Sequence, residues 1–295
     1  MRRQQPTMIG LTLPDVDVWS ERVAVALGQN PGLFTGPGTN TYLVGTGRVR
    51  ILLDTGQGVH EYLPVLERAM ARVGCEALQE IVLTHGHPDH IGGALQVIER
   101  FGPLRVSKLP HDGMDGHYSL EIHPLADGSV VETEGATLRA VHTPGHAEDH
   151  LCFVLEEEGA IFTGDNVLGV GTTVIPAHGG DLLDYLRSLE RLLEERPGRI
   201  YPAHGPLVED GAAKIREYIA HRRDRECQIL EALEALGPCT VPAVVKRVYT
   251  DVPEVLHGAA ALSVTSHLVK LLREGRARRE DVDDGEAGHA RWSLA

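Results

Sequence analysis

Seven side chains of this sequence could do chemistry together. His85, His87, Asp89 and His90 share the hexapeptide His85-Gly86-His87-Pro88-Asp89-His90, and His146, Asp165 and His204 follow on separate apolar-flanked turns. Imidazole nitrogens and carboxylate oxygens are donors for zinc and similar divalent ions, and seven of them exceed what one tetrahedral ion uses. In the hexapeptide, His85 and His87 can point to one ion while Asp89 and His90, a turn later, reach another; Gly86 permits the tight backbone and Pro88 stiffens it. A bridging carboxylate would complete both shells, and Asp165, in FTGD after an apolar run, is the candidate. The expected cofactor is two Zn2+ per chain, with Mn2+ or Fe2+ as alternatives. A hydroxide bridging two such ions is a nucleophile at neutral pH, and the ions polarise the bond under attack. The expected enzyme is therefore a dinuclear metal-dependent hydrolase, and none of the motifs presents a serine or cysteine nucleophile. Asp89 would both hold metal and position the hydroxide.

Elements must bring these turns to one edge. VAVALG, TYLVGTG and RVRILLDTG, separated by a Pro/Gly/Asn-rich loop over 29–40, read as an antiparallel β start. Tyr62 to Val73 has helical apolar spacing, and Glu80 to Thr84 is a short buried strand ending at the histidine cluster. Further strand-like runs lie at 104–109, 137–142, 151–156 and 160–163, with helices at 94–101 and 182–195. Two packed sheets flanked by helices would let strand ends from both gather ligands distant in sequence. After Pro206 the pattern turns helical. Ala212 to Leu236 is one long amphipathic segment closed by Gly237-Pro238, helices follow at 241–249 and 255–272, and the tail through Trp292 adds a small β element.

As a set, HxHxDH followed by single His, Asp and His residues resembles the metallo-β-lactamase fold superfamily. That resemblance implies an α/β, four-layer αββα metallo-β-lactamase fold over residues 1–208 and a C-terminal helical, winged-helix-like domain over 209–295. It implies that His85, His87 and His146 bind the first ion, that Asp89, His90 and His204 bind the second, and that Asp165 bridges them. Asp54, in LLDTG, matches the superfamily's first motif, where the carboxylate orients ligands from behind; it is counted with Asp89 among the catalytic residues. NPGLFTGPGTNTYLVGTG, THGHPDHIGG, TEGATLRAVHTPGH, FTGDNVLGVGTT, YPAHGP and KIREYIAHRRDRECQIL are similar to the beta-lactamase-like protein 2 family. Asn30 and Asn40 lie in the loop resembling that family's substrate side and are candidate substrate contacts. His178, in PAHGGD, could line the mouth of the cleft or protonate a leaving group. His142 and His150 could support ligands from behind or be ordinary packed histidines.

The substrate is less legible. Resemblance to the nearest family implies endoribonuclease cleavage of single-stranded RNA phosphodiesters, with Arg222, Arg223 and Arg225 of the helical tail as phosphate grips. The same metal site serves a glyoxalase II-like thioesterase or lactonase acting on a small-molecule ester or thioester, which agrees better with a formal net charge of -14. β-Lactam hydrolysis and a non-enzymatic adaptor fit less well, the latter because all seven candidate ligands are present. No apolar run approaches the about 18 residues of a membrane span, and residues 1–10 do not read as a signal peptide. The expectation is a cytoplasmic protein without a membrane role, with a homodimer left open. Cys75, Cys152, Cys227 and Cys239 read as buried, reduced thiols.

Overall fold

The computed structural model describes residues 8, 10–176, 179–282 and 289–295. The first sheet takes seven strands in sequential order: β1 (Val16–Val18), β2 (Val23–Leu27), β3 (Asn40–Val44), β4 (Val49–Leu53), β5 (Ala77–Val82), β6 (Val106–Lys108) and β7 (Ile122–Pro124). β1 to β4 pair antiparallel, with short turns between β1 and β2 and between β3 and β4 and a long loop between β2 and β3, and β4 to β7 pair parallel. The switch needs crossovers. These are supplied by α1 (Tyr62–Arg72), by α2 (Pro88–Ile91) with α3 (Ala94–Phe101), and by α4 (Asp112–Asp115). The second sheet holds β8 (Val130–Thr133), β9 (Ala136–His142), β10 (Leu151–Leu155), β11 (Ala160–Gly164) and β12 (Ile200–Pro202) in the order β12-β11-β10-β9-β8.

Period-two burial stacks the layers. Val23, Val25, Tyr42, Val44, Ile51 and Leu53 point into a core shared with Leu151, Phe153 and Leu155 of the other sheet. Their neighbours Ala24, Ala26, Leu43 and Leu52 face outward, against Leu66 and Ala69 of α1 and Val97 of α3. On the far side, Cys152, Val154 and Ile161 pack against Tyr185 and Leu189 of α5 (Leu182–Glu194). The result is helix, sheet, sheet, helix, as the motif resemblance implied.

One long helix then serves two cores. α6 (Gly211–Leu236) starts from Asp210, whose carboxylate caps Ala213 N, and stops at Gly237 with φ 64. Its first half puts Ile215, Tyr218 and Ile219 into the α5 core, while Ile229, Ala232 and Leu233 enter a fourth core. That core is shared with α7 (Val241–Val248), with α8 (His257–Arg273) and with the hairpin of β13 (Ala277–Val282) and β14 (His289–Leu294), which contributes Ala277 and Trp292. Because α6 runs unbroken between them, the C-terminal module is fixed to the sandwich.

Two expectations need correction. The segment Glu254–Arg273 reaches mean hydropathy 1.3 over its most apolar window, so one helix does have the length and composition of a membrane span. Its buried side chains Ala260, Val264, Leu268 and Leu271 pack in the fourth core. Cys227 is exposed, whereas Cys75, Cys152 and Cys239 are buried, and all four thiols are free.

The contact of α6 with α8 contains two histidines whose charged forms are disfavoured. Burial, then the charges of Arg222, Lys270 and Arg225, holds His267 well below its usual pKa, and burial with Arg222 and Arg225 holds His221 at about 4. Both are neutral in the fold and bind protons on unfolding below about pH 6.5, so stability is expected to fall as pH drops from there toward 4. Urea midpoints of the wild type and His267→Gln, compared across that range, should show a shallower decline in the variant; equal slopes would mean that His267 does not contribute.

Candidate metal centre

The strand ends of both sheets meet at one edge of the sandwich. The turn after β5 carries His85, His87, Asp89 and His90, with α2 beginning at Pro88. His90 N donates to His87 O, and both Thr55 N and Thr55 Oγ1 donate to the His90 carbonyl, which pins this turn to the end of β4. The turn after β9 supplies His146, the end of β11 supplies Asp165 and the end of β12 supplies His204. Gly164, at φ 49, is required before Asp165, because a Cβ there would stand 2.6 Å from His150 Nε2.

The seven residues fall into two groups whose donor atoms lie within 4.8 Å of one another: His85, His87, His146 and Asp165, and Asp89, His90 and His204. In the first group, His87 Nδ1 stands 2.9 Å from His85 Nε2 and 3.0 Å from His146 Nε2, and Asp165 Oδ2 is 3.3 Å from His146 Nε2. In the second, His90 Nε2 is 3.4 Å from both Asp89 Oδ2 and Asp165 Oδ1, and His204 Nε2 is 3.3 Å and 3.0 Å from the same two oxygens. Asp165 thus turns one oxygen to each group.

Tautomers follow from the surrounding hydrogen bonds. Thr84 Oγ1 spends its proton on Asp54, so His85 Nδ1, 3.0 Å away, donates to it and keeps a lone pair on Nε2. His146 Nδ1 donates to the Val174 carbonyl at 3.0 Å, again freeing Nε2. The single proton that His87 Nδ1 can carry cannot serve both imidazoles beside it. Three nitrogens so converged, at separations near the about 3.3 Å edge of a tetrahedron with 2.0–2.1 Å bonds, suit a divalent cation. His90 Nδ1 donates to Asp54 at 2.8 Å, which leaves His90 Nε2 facing two carboxylates; this atom and Asp165 Oδ1 are buried without a well-formed hydrogen bond. The donor set fits two ions.

Electrostatics divide the site the same way. Burial, reinforced by neighbouring imidazoles, holds His85 well below its usual pKa and His87 at about 4, and burial lowers His146, so all three are neutral. Burial also opposes charge on His90 and His204, but Asp89, Asp54 and Asp165 outweigh it at His90, and Asp165 with Asp89 lifts His204 to about 9. Burial would raise Asp89 and Asp165, yet these histidines hold both below the usual carboxylate range. The pocket is organised around anions that need positive charge beside them.

Supporting residues explain the precision. Asp54, 2 % exposed at φ 59, accepts from Thr84 N, Thr84 Oγ1 and His90 Nδ1, so it acts by orienting His90. The expectation that Asn30 and Asn40 face substrate is corrected. Asn40 Nδ2 donates to the Pro202 and Gly205 carbonyls, bracketing His204. Asn30 exchanges two hydrogen bonds with Thr39, whose hydroxyl donates to Asp89 Oδ2 at 3.2 Å. His178 lies outside the described residues. His150 is buried between ligands, with Nε2 accepting from Asp165 N, whereas His142 binds Glu148 O away from them.

Sequence reasoning missed Thr84 and a buried ion pair. Lys108 Nζ lies 2.6 Å from Asp149 Oδ2, which in turn accepts from Gly86 N in the histidine turn. Nothing in a strand reading VSK marks its lysine as buried. Of the tail arginines, Arg222 departs from the phosphate-gripping expectation, whereas Arg223 stays exposed. Arg222 is buried, donating to the Thr173 carbonyl over the Tyr185 ring; Arg223 pairs with Glu190, and Arg225 stacks on Tyr249 at 4.0 Å.

A cavity of about 370 Å³ opens over the site, with His87, Asp89, His146, Asp165 and His204 on its floor. Its remaining walls carry apolar and threonine side chains, from the loop after β2, from residues 168–176 and from the α8 end of the C-terminal module.

Comparison with known proteins agrees with this geometry. The family model for the Metallo-beta-lactamase superfamily matches residues 34–204, and that for the Beta-lactamase associated winged helix domain matches 240–292. The chain belongs to the metallo-beta-lactamase superfamily and is one of its hydrolases. It is 38% identical over 285 residues to an atrochrysone carboxyl ACP thioesterase of Claviceps purpurea, covering 95% of this chain and 88% of that protein. It is 39% identical over 298 residues to the beta-lactamase-like protein 2 homolog of Drosophila melanogaster, covering 93% and 96%. A beta-lactamase domain protein from Burkholderia ambifaria superposes with TM-score 0.82 at 21% identity over 99% of this chain and 98% of that one, which speaks for the fold.

Two substitutions test the supports. Asp54→Asn tolerates the positive φ but places an amide where His90 donates, so it should keep the fold and most metal while losing roughly ten- to a hundred-fold in turnover. Wild-type turnover at full metal content would reduce Asp54 to a turn residue. Arg222→Met strands the Thr173 carbonyl and should cost about 1–3 kcal/mol in urea unfolding; no loss would show that the carbonyl finds another partner.

Proposed function

We propose that this enzyme hydrolyses an acyl thioester at two divalent ions, zinc being the metal best suited to an imidazole and carboxylate set. His85, His87 and His146 would hold one ion, Asp89, His90 and His204 the other, and Asp165 would bridge. Bound there, the ions supply Lewis acidity toward the scissile carbonyl and acidify the attacking water.

The character of the cavity carries the substrate reading. Among the described residues no lysine or arginine lines it, and the walls above the ligands are mostly apolar. A phosphodiester backbone is gripped by cationic side chains, and of the arginines expected for that task Arg222 is buried on the Thr173 carbonyl and Arg225 stacks on Tyr249, leaving Arg223 as an exposed partner of Glu190. An apolar acyl group suits such walls. The leaving group points the same way. Outside the ligand set the described lining offers only threonine hydroxyls as proton donors, and a thiolate, whose thiol has a pKa near 8.5, departs without a strong acid. In the reaction the water oxygen bonds to the carbonyl carbon, the C–S bond breaks with its electron pair going to sulfur, and an acid and a thiol are released. Asp89, on the cavity floor and held by Thr39, orients the water. The thioesterase named among the relatives agrees with this reading. Four free thiols fit a reducing compartment, and the cytoplasm is the setting we propose.

The metal-loaded protein, offered an acyl thioester, a lactone, a β-lactam and labelled single-stranded RNA side by side, should turn over the thioester fastest. RNA cleavage without thioester hydrolysis would overturn the reading. Metal analysis should find about two ions per chain, and Asp165→Ala should lose more than one because the bridge serves both; retention of both ions would refute the bridging role.

A further inference from the structure

The first turns of α8 in the C-terminal module, with the short helix before them, form one wall of the active-site cavity. Leu256 ends the short helix Glu254–Leu256, and Ala259 and Leu262 follow on α8 at spacings of three, which places all three on one helix face. That face is distinct from the one carrying Ala260, Val264, Leu268 and Leu271 into the module's own core. Leu33 and Phe34 form the facing wall, and the candidate ligands lie below. Leu33 and Phe34 are each 55% exposed and Leu262 41%, so both walls present uncovered apolar carbon to the space between them.

The wall is anchored to the site itself. Ser266 Oγ of α8 donates to the Ile175 carbonyl, Arg222 of α6 donates to the Thr173 carbonyl, and Arg273 pairs with Asp181 at the start of α5. Between the first two carbonyls lies that of Val174, which accepts from His146 Nδ1. His146, cavity rim and module are therefore tied together through three successive carbonyls.

We propose that the winged-helix module acts as the acyl gauge of this enzyme: the substrate's acyl chain runs from the metal centre up between Phe34 and the Leu256, Ala259 and Leu262 face, and these residues set the chain length accepted. The proposal rests on the acyl-thioester reading for which end of the substrate faces the ions. At about 370 Å³ the cavity is near the lower bound of small-ligand sites, so the gauge favours a single short-to-medium acyl group over a bulky polymer.

Titration calorimetry of the metal-loaded protein with butanoate, hexanoate, octanoate and decanoate reads the seat without turnover. Affinity should rise about fourfold per methylene while chain is being buried, with a negative heat-capacity change. Ala259→Phe fills the seat and Leu262→Asp makes it polar; both positions retain solvent access, so the fold should survive, which circular dichroism verifies. In each variant the octanoate-to-butanoate affinity ratio should fall at least tenfold, and the ratio of kcat/KM for octanoyl over acetyl thioesters should fall with it. Unchanged ratios in both folded variants overturn the gauge and leave the hydrolase reading standing. A wild type that shows the chain-length slope yet hydrolyses no thioester supports the seat and removes the thioesterase reading.

Discussion

Asp54 is buried behind His90, and Asp89 and Asp165 stand largely buried among the imidazoles at the cavity floor, where carboxylates held together are costly unless positive charge stands between them. Protons on His90 and His204 meet part of that need in the protein alone. Three nitrogens and one carboxylate oxygen of the first group still converge with too few protons to satisfy them, so bound divalent metal is the natural resolution of the charge pattern. Much of the surrounding structure serves to hold these groups where relaxation would separate them. Asp54 keeps a left-handed backbone to reach His90, Asn40 ties down the His204 turn, and Lys108 braces Asp149 beneath Gly86.

That precision is possible because the ligands stand on strand ends. The inner core of Tyr42, Leu53, Phe153 and Phe162 locks the two sheets face to face, so the end of a strand in one sheet has a fixed position relative to the other. Loops alone could gather the same residue types but could not hold donor atoms three to four ångströms apart against their mutual repulsion.

Beyond the centre, the decisive contacts are between the sandwich and the C-terminal module. The chain over 172–176 is exposed to the cavity on one side and takes hydrogen bonds from α6 and α8 on the other. This turns residues far from the metal-binding motifs into parts of the active site. It also accounts for two basic residues of the tail: Arg222 is spent on the Thr173 carbonyl and Arg225 lies over the Tyr249 ring.

Local chemistry was enough to identify the HxHxDH turn, the Asp165 and His204 turns, the amphipathic period of α1 and α5, the extent of α6, and the strands β2 to β4 between their turn residues, because each depends on neighbours within a few residues. The same locality misled where partners are remote. Asn30 and Asn40 read as substrate contacts because a Gly/Pro-rich loop says nothing of what it packs against, and their amides are spent on Thr39 and on carbonyls more than 160 residues away. Arg222 read as a surface cation because the helix around it is polar, and Lys108 went unnoticed because its carboxylate partner is 41 positions distant. Residue types and their order thus determined the donor set and the layers that carry it. Which side chains stand behind the donors, and which apolar wall faces them, was decided only when two sheets and a helical module closed on one edge, since burial and hydrogen bonding depend on the whole packed chain.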